Sequence, residues 1–244
     1  DTLAGENRIE ITLRSATRRA NALQASQPFP IPYSANNCPI PNGNMLRKPQ
    51  CDFGWDWNIA LAPCGITGRI GLVGSEGEVA GVRVLQVHED RRVRIEVQAV
   101  LRGASNPADG WTVSIAGEVA HGPGDRVDAE LIVDDPALWW PNGMGGQPLH
   151  TLSITIGGAS STQAIALRDV RLVSEPDATG RSFGVVVNGR PVFARGANWI
   201  PADALPGRIT PAATEDLLRS AAEGHMTMIR VWGGGRYEPD HFYA

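Results

Sequence analysis

Arg92-Val93-Arg94-Ile95-Glu96-Val97-Gln98-Ala99 is the stretch from which the fold can be read. Val93, Ile95, Val97 and Ala99 alternate with Arg92, Arg94, Glu96 and Gln98. A period of two is the mark of a β-strand with one face buried and the other in water. Similar runs lie on both sides. Val82, Val84 and Val87 come before it. Val113-Ser114-Ile115-Ala116-Gly117, residues 129–133 and 149–156, Ala164-Ile165-Ala166-Leu167 and Val170-Arg171-Leu172-Val173 come after. The chain's 28 Gly and 18 Pro supply the turns between them. Short strands at intervals of about 8–12 residues predict an antiparallel sandwich. No Cys falls in this span, so no disulfide pins it. Gly74-Ser75-Glu76-Gly77 reads as the junction at which it begins. Trp139 and Trp140, inside Asp135-Pro136-Ala137-Leu138-Trp139-Trp140-Pro141-Asn142-Gly143, read as loop indoles packed against an adjoining domain rather than as ligand contacts.

Toward the C-terminus the period changes. Residues 181–187 and 190–195 form a strand pair about Val187-Asn188-Gly189-Arg190, and Asn-Gly between apolar runs is the strongest short hairpin signal. Thr210-Pro211 places an N-cap before a proline at the first helical position. Leu217, Leu218, Ala221 and Ala222 give the helix an apolar face, and Gly224 is the expected stop. Thr227-Met228-Ile229-Arg230-Val231-Trp232 is a further strand, followed by Gly233-Gly234-Gly235. Strand, helix, strand is the opening of a parallel α/β domain. A complete (β/α)8 barrel takes about 250 residues, so the chain reads as a piece of a longer protein. Its unfinished barrel, residues 180–244, is expected to be less stable than the rest or to self-associate.

On the N-terminal side, Ile9, Ile11 and Leu13 alternate with polar residues over 7–14 and predict a strand. Residues 15–25 suit a short helix. Residues 26–50 carry Pro28, Pro30, Pro32, Pro39, Pro41 and Pro49, which predict an extended loop. It ends at Cys51-Asp52-Phe53-Gly54-Trp55-Asp56-Trp57, an acid between two of only seven Trp. Indole faces stack on the apolar side of a sugar ring or pack in a core, and a carboxylate between them needs hydrogen-bond donors. Sugar hydroxyls would serve. The plainer alternative is a strand with one Trp inward and Asp56 in a turn. Because the proline-rich loop leads into this stretch, it reads as a binding rim. Residues 59–73 return to strand character.

The composition, 42% hydrophobic and 20% charged, is that of a globular protein. The net charge of −4 is carried without a basic patch, which argues against nucleic acid as a partner. No apolar run approaches the about 20 residues that span a membrane. Cys38, Cys51 and Cys64 are spaced C-x12-C-x12-C, with no CxxC pair or nearby His, so a metal site is not expected, and no other residue suggests a metal or an organic cofactor. They read as small core or loop residues, at least one of them unpaired within the chain. No signal peptide is visible, but Asp1 is not an initiator Met and a leader could have been removed. The compartment, whether periplasmic, cytoplasmic or secreted, stays open.

Four blocks in order resemble the β-mannosidases of glycoside hydrolase family 2. They are Arg47-Lys48-Pro49-Gln50-Cys51-Asp52-Phe53-Gly54-Trp55-Asp56-Trp57, Leu138-Trp139-Trp140-Pro141-Asn142-Gly143, the run from Pro191-Val192-Phe193-Ala194-Arg195-Gly196-Ala197-Asn198-Trp199 to Asp203, and Met228-Ile229-Arg230-Val231-Trp232-Gly233-Gly234-Gly235. The resemblance implies a mainly β fold. Residues 1–76 would be the last part of a jelly-roll β-sandwich and 77–178 an immunoglobulin-like β-sandwich. Residues 179–244 would be the first βαβ of an incomplete (β/α)8 barrel. It implies removal of a terminal β-mannose from an oligosaccharide by a retaining mechanism that uses two Glu. Both would lie on later strands, so no catalytic residue is expected in this chain, and Glu215, Glu223 and Glu238 are not promoted to that role. Trp55, Asp56 and Trp57 would contact the terminal mannose, with Asp56 accepting from its hydroxyls and Trp232 as a platform. Arg230 and Trp232 stand at the C-terminal end of a strand, where barrel enzymes place their chemistry. Asn198 and Trp199 hold the equivalent end of the preceding strand, where packing is as good a reading as substrate contact. Arg230 could instead pair with a catalytic carboxylate. Two residues depart from the pattern: Asn58, where Gly is more usual, and Arg236, where an apolar residue is. The alternatives are another exo-glycosidase of the family, such as a glucosaminidase, galactosidase or glucuronidase, and a non-catalytic carbohydrate-binding sandwich.

Overall fold

The computed structural model describes residues 8–33, 36–68, 70, 77–103 and 110–243. The expected junction residues 74–76 lie outside them. Two compact units are present. The first is built from Asp1–Gly71, Asn198–Arg219 and Ile229–Tyr243, the second mainly from Leu72–Ala197 with Ser220–Met228.

The second unit holds the β-rich core that the alternation predicts. β1 (Glu78–Glu89), β2 (Arg92–Arg102) and β5 (Arg126–Asp134) form one antiparallel sheet. β3 (Trp111–Ile115), β4 (Glu118–Gly122), β6 (His150–Ile156) and β7 (Ala159–Ile165) form another, in the order β4-β3-β6-β7. Val93, Ile95, Val97 and Ala99 of β2 are buried with Val127, Ala129, Leu131 and Val133 of β5. They join Val113 and Ile115 of β3 and Leu152, Ile154 and Ile156 of β6 in one continuous core. Each large side chain so buried contributes about 1.5–3 kcal/mol. The intervening residues carry exposed cross-strand ion pairs such as Arg92–Asp134 at 2.6 Å, which add little.

Three differences from the sequence reading have physical causes. β4 was not foreseen, because its hairpin turns on Ala116-Gly117 rather than on a recognisable turn pair; both residues have positive φ, 54° and 92°. Residues 170–173 do not close the sandwich. As β8 (Val170–Val173) they pair with β9 (Gly184–Val187), which pairs with β10 (Arg190–Val192) across the expected Asn188-Gly189 turn. Residues 8–14 and 59–68 contain no strand. Ile9, Ile11 and Leu13 are 60%, 49% and 54% exposed. Alternation becomes a strand only where a neighbouring strand takes up its hydrogen bonds; here Asp52 O accepts from Ala62 N–H at 2.6 Å and Arg14 O from Cys64 Sγ at 3.5 Å, and neither contact belongs to a strand ladder among the described residues. The helix expected after them is present as α1 (Ala16–Ala25), with Ser15 Oγ capping Arg18 N–H at 3.3 Å.

α2 (Pro211–Glu223) is capped by Thr210 Oγ1, which accepts from Ala213 N–H at 3.2 Å. His225 N–H donates to Ala222 O and Met226 N–H to Ala221 O at its end. The left-handed residue there is His225 (φ 59°), one position after the expected Gly224. Thr214 is the buried residue of α2, while Leu217 is 48% exposed. β11 (Gly196–Trp199) and β12 (Met228–Val231) pair. Thr227 N–H donates to Arg195 O at 2.8 Å and Trp232 N–H to Trp199 O at 2.9 Å. Both chains advance in the same direction, so the pair is parallel, as the strand–helix–strand pattern requires. Among the described residues no helix is long and apolar enough to cross a membrane.

Candidate functional site

Trp55, Asp56, Trp57, Asn198, Trp199, Arg230 and Trp232 all fall within the first unit. Trp55 and Asn58 exchange backbone hydrogen bonds at 3.1 and 3.2 Å, which leaves Asp56 and Trp57 as the two residues of a tight turn. The turn is anchored from below. Phe53 is fully buried, and Gly43 packs against its ring so closely that any side chain there would collide with it. Gly54 has φ 110°, and an added Cβ would meet Asn37 O at 3.2 Å. Asn58 Nδ2 donates to Cys51 O at 2.7 Å, which gives that departure from the family pattern a local role.

The two sequence-distant motifs meet through aromatic rings. The centroids of Trp55 and Trp232 are 4.9 Å apart at 51°, and those of Trp57 and Trp232 are 5.6 Å apart, edge to face. Gly234 lies under the Trp232 indole, where a Cβ would overlap the ring. Asp56, at the tip of the turn, is exposed.

The other candidates are occupied differently. Trp199 is 9% exposed; its ring packs on Phe242 with centroids 4.9 Å apart, and its Nε1–H donates to Glu238 Oε1 at 2.9 Å. Packing therefore describes its ring, with partners from the same C-terminal stretch. Arg230 Nη1 donates to Asn198 Oδ1 at 3.0 Å, so these two exposed residues hold each other. Glu215 pairs with Arg219 on α2 at 2.5 Å. In the second unit, Arg168 lies 4.3 Å over the Trp139 ring and Arg190 5.0 Å over that of Trp140.

The sequence reading missed the buried carboxylate. Asp52, not Asp56, is the withdrawn acid, at 2% exposure. Arg236 Nη2 donates to its Oδ1, and Lys48 Nζ lies 3.3 Å from its Oδ2. Arg236, which stands where the family more often has an apolar residue, thus has a specific partner. The available signals were Lys48 four residues before Asp52 and the unexpected cation after the glycines. Burial, and after it the neighbouring Asp52, push the Cys51 thiol above its ordinary pKa, with Arg236 opposing.

A cleft of about 770 Å³ opens beside this ion cluster, lined by Lys48, Gln50, Arg236, Tyr237 and Glu238 among others. None of the seven residues singled out lines it. Trp232 instead borders a smaller hollow of about 240 Å³, with Arg236, Tyr237 and Tyr243. No group of three or more His, Cys, Asp or Glu suited to a metal lies among the described residues. The chemistry on offer is aromatic stacking beside an exposed carboxylate.

Residues 1–68 match the glycosyl hydrolase 2 galactose-binding domain-like family. The chain is 31% identical to β-mannosidase B of Emericella nidulans over 256 residues, covering 98% of this chain and 30% of that protein. It is 30% identical to β-mannosidase of Bos taurus over 274 residues, covering 99% of this chain and 31% of the relative. It thus spans about 30% of the length of the curated relatives it matches. The structure of β-D-mannosidase from Dictyoglomus thermophilum superposes with a TM-score of 0.79 at 29% identity, covering 93% of this chain and 30% of that one. Amycolatopsis orientalis exo-chitosanase superposes at 0.54 and 25% identity, covering 69% and 21%.

Proposed function

Since this chain belongs to glycoside hydrolase family 2, we propose that it serves a retaining exo-β-mannosidase that removes terminal non-reducing β-D-mannose. On this reading it supplies scaffold and part of the subsite that holds the mannose, while both catalytic Glu belong to the remainder of the enzyme. The domain reading is retained as part of the proposal, with a jelly-roll portion over 1–76, an immunoglobulin-like sandwich over 77–178 and the opening of the barrel from 179.

The observation that carries the reading is the convergence of Trp55 and Trp57 on Trp232, with Asp56 exposed beside them. A sugar has an apolar C–H face and a hydroxyl rim. An aromatic surface beside a carboxylate suits both at once. In this proposal Trp232 is the platform, Trp55 and Trp57 bound it, and Asp56 accepts from mannose hydroxyls. Arg230 and Asn198 orient each other at the end of the parallel strand pair, and Trp199 supports the site by packing. On this reading Glu238, whose carboxylate accepts from the Trp199 indole, and Glu215, paired with Arg219, have structural rather than catalytic roles.

The test is hydrolysis of a panel of aryl β-glycosides by the full-length protein, with this chain alone as control. Mannoside-selective turnover by the former and none by the latter is expected. Loss of one charged hydrogen bond is worth about 1.5–3 kcal/mol, so Asp56→Ala should lower kcat/KM on the mannoside by about 10- to 100-fold. Selective turnover of a glucosaminide would keep the family and overturn the sugar assignment. Hydrolysis by this chain alone would overturn the placement of the catalytic pair.

A further inference from the structure

Asp52 poses a question that sugar binding does not answer. Its side chain is 1% exposed, and burying a carboxylate is unfavourable unless charged or hydrogen-bonding partners repay the lost hydration. It faces two cations from distant parts of the sequence: Lys48, one turn before it, and Arg236, 184 positions after it. The Arg236 side chain is itself only 19% exposed.

The position of this cluster gives it a role. The segment from Lys48 to Asn58 carries Asp52 and then the Trp55-Asp56-Trp57 turn. The segment from Val231 to Arg236 carries Trp232, Gly234 and Arg236. Two bonds join these segments besides the indole contacts. Cys51 N–H donates to Gly234 O at 3.2 Å, and Arg236 donates to Asp52. The indole contacts join them as well, at 4.9 and 5.6 Å. Gly234 sits between, its carbonyl held by Cys51 and its Cα covered by the Trp232 ring. Without the ion pair, a main-chain hydrogen bond, the approach of Arg236 to the Cys51 thiol and the ring contacts would be left to fix the angle of Trp232 against Trp55. Both Arg236 and Trp232 border the 240 Å³ hollow, so a shift in one reshapes the space beside the other.

We propose that Asp52 and Arg236 form a buried charge clip, assisted by Lys48, that sets the position of Trp232 against Trp55 and Trp57. They are positioning residues: Asp52 touches no sugar and acts through Arg236 and the glycine loop. For its effect on catalysis the inference rests on the mannose-subsite reading above. For its effect on the indoles it does not.

The test has two readouts. The first is the exciton couplet of the close-packed indoles in the circular-dichroism spectrum of this chain, which needs no substrate. Asp52→Asn and Arg236→Gln should each diminish it while the strand signal persists. Arg236→Lys, which keeps a charge within reach of a single-contact partner, should restore most of it. Trp55→Phe identifies the couplet. The second readout is kinetic, in the full-length protein. Displacement of a positioned group by about 1 Å can cost about 100-fold, so KM for the aryl mannoside should rise about tenfold or more in Asp52→Asn and recover in Arg236→Lys.

Asp52→Asn leaves Arg236 short of a counter-charge and can unfold the unit. Asp52→Leu combined with Arg236→Met therefore serves as a second variant, since replacing both charges spares the fold. A folded double variant with a diminished couplet supports the clip, whereas an unchanged couplet in it overturns the clip. If the couplet responds as expected and the full-length protein turns over no mannoside, the sugar reading fails and the clip stands.

Discussion

His88, on β1, shows how one side chain writes a pH dependence into the fold. Its Nε2 lies 3.1 Å from Gln86 Oε1, which also accepts from Arg168 N–H at 3.1 Å, while Gln86 Nε2 donates to Ala166 O at 2.9 Å. Burial lowers the His88 pKa from 6.5, with Arg171 acting in the same direction and Asp169 opposing. The folded chain therefore favours the neutral ring, whereas the unfolded chain protonates near 6.5. As pH falls below that value the unfolded state binds more protons, and stability declines until the folded-state pKa is passed. Denaturant midpoints should accordingly drop between about pH 7 and pH 5, and His88→Gln should remove part of that slope. An identical slope in the variant would show that His88 is not the group responsible. The contrast between Asp52 and Asp56 belongs to the same scale. The sequence marks both acids, and the flanking indoles make Asp56 the more conspicuous. What decides burial is the arrival of Arg236 from 184 positions away, which local spacing does not encode.

At the scale of elements, legibility followed the strength of the local code. β2, β5 and β6 were readable because alternation and burial coincide along them: every apolar residue of the stretch around Val93 is in the core. β9 and β10 were readable from Asn188-Gly189, whose φ values of 48° and 76° are those such a turn needs. The β3–β4 hairpin makes a similar reversal with Ala116-Gly117, and Ala116 holds φ 54° despite its Cβ. A left-handed residue other than Gly, Asn or Asp is held at a cost of about 1–2 kcal/mol. Ala116→Asn should thus stabilise the chain by about 0.5–1 kcal/mol, since Asn tolerates this conformation and makes Asn-Gly, the preferred pair. A higher denaturant midpoint with an unchanged m-value is the expected result, and a lower midpoint would show that the hairpin does not bear this strain. The same gap between code and structure hid β4, because Ala116-Gly117 is not one of the residue pairs that mark a hairpin turn. Residues 8–14 err the other way, with a strand pattern and no described strand to pair with.

At the scale of the whole molecule, the sandwich followed by a strand–helix–strand was legible, because each part has its own periodicity, whereas the strands expected in the first β region do not occur among its described residues. How well each part is buried was less so. All fourteen residues of the continuous core belong to the sandwich sheets and Leu167, within the second unit. Among the described residues from 196 onward only Trp199 and Thr214 are buried, while Leu205, Leu217, Met228 and Tyr243 are 39%, 48%, 41% and 63% exposed. Backbone hydrogen bonds open locally where little apolar surface covers them, and only the best-packed strands require global unfolding to exchange. Amide hydrogen exchange on this chain should therefore divide. Amides of β2, β3 and β6 near Ile95, Val113 and Ile154 should exchange slowest, and those of α2, β11 and β12 faster by orders of magnitude. In the full-length protein, where the proposed barrel would cover Leu217 and Met228, the second group should slow markedly while the sandwich amides change little. Uniform protection in the isolated chain at a concentration where it is monomeric would mean that residues 196–243 gain stability from something other than apolar burial. Protection that rises with concentration would point instead to a second copy covering those side chains.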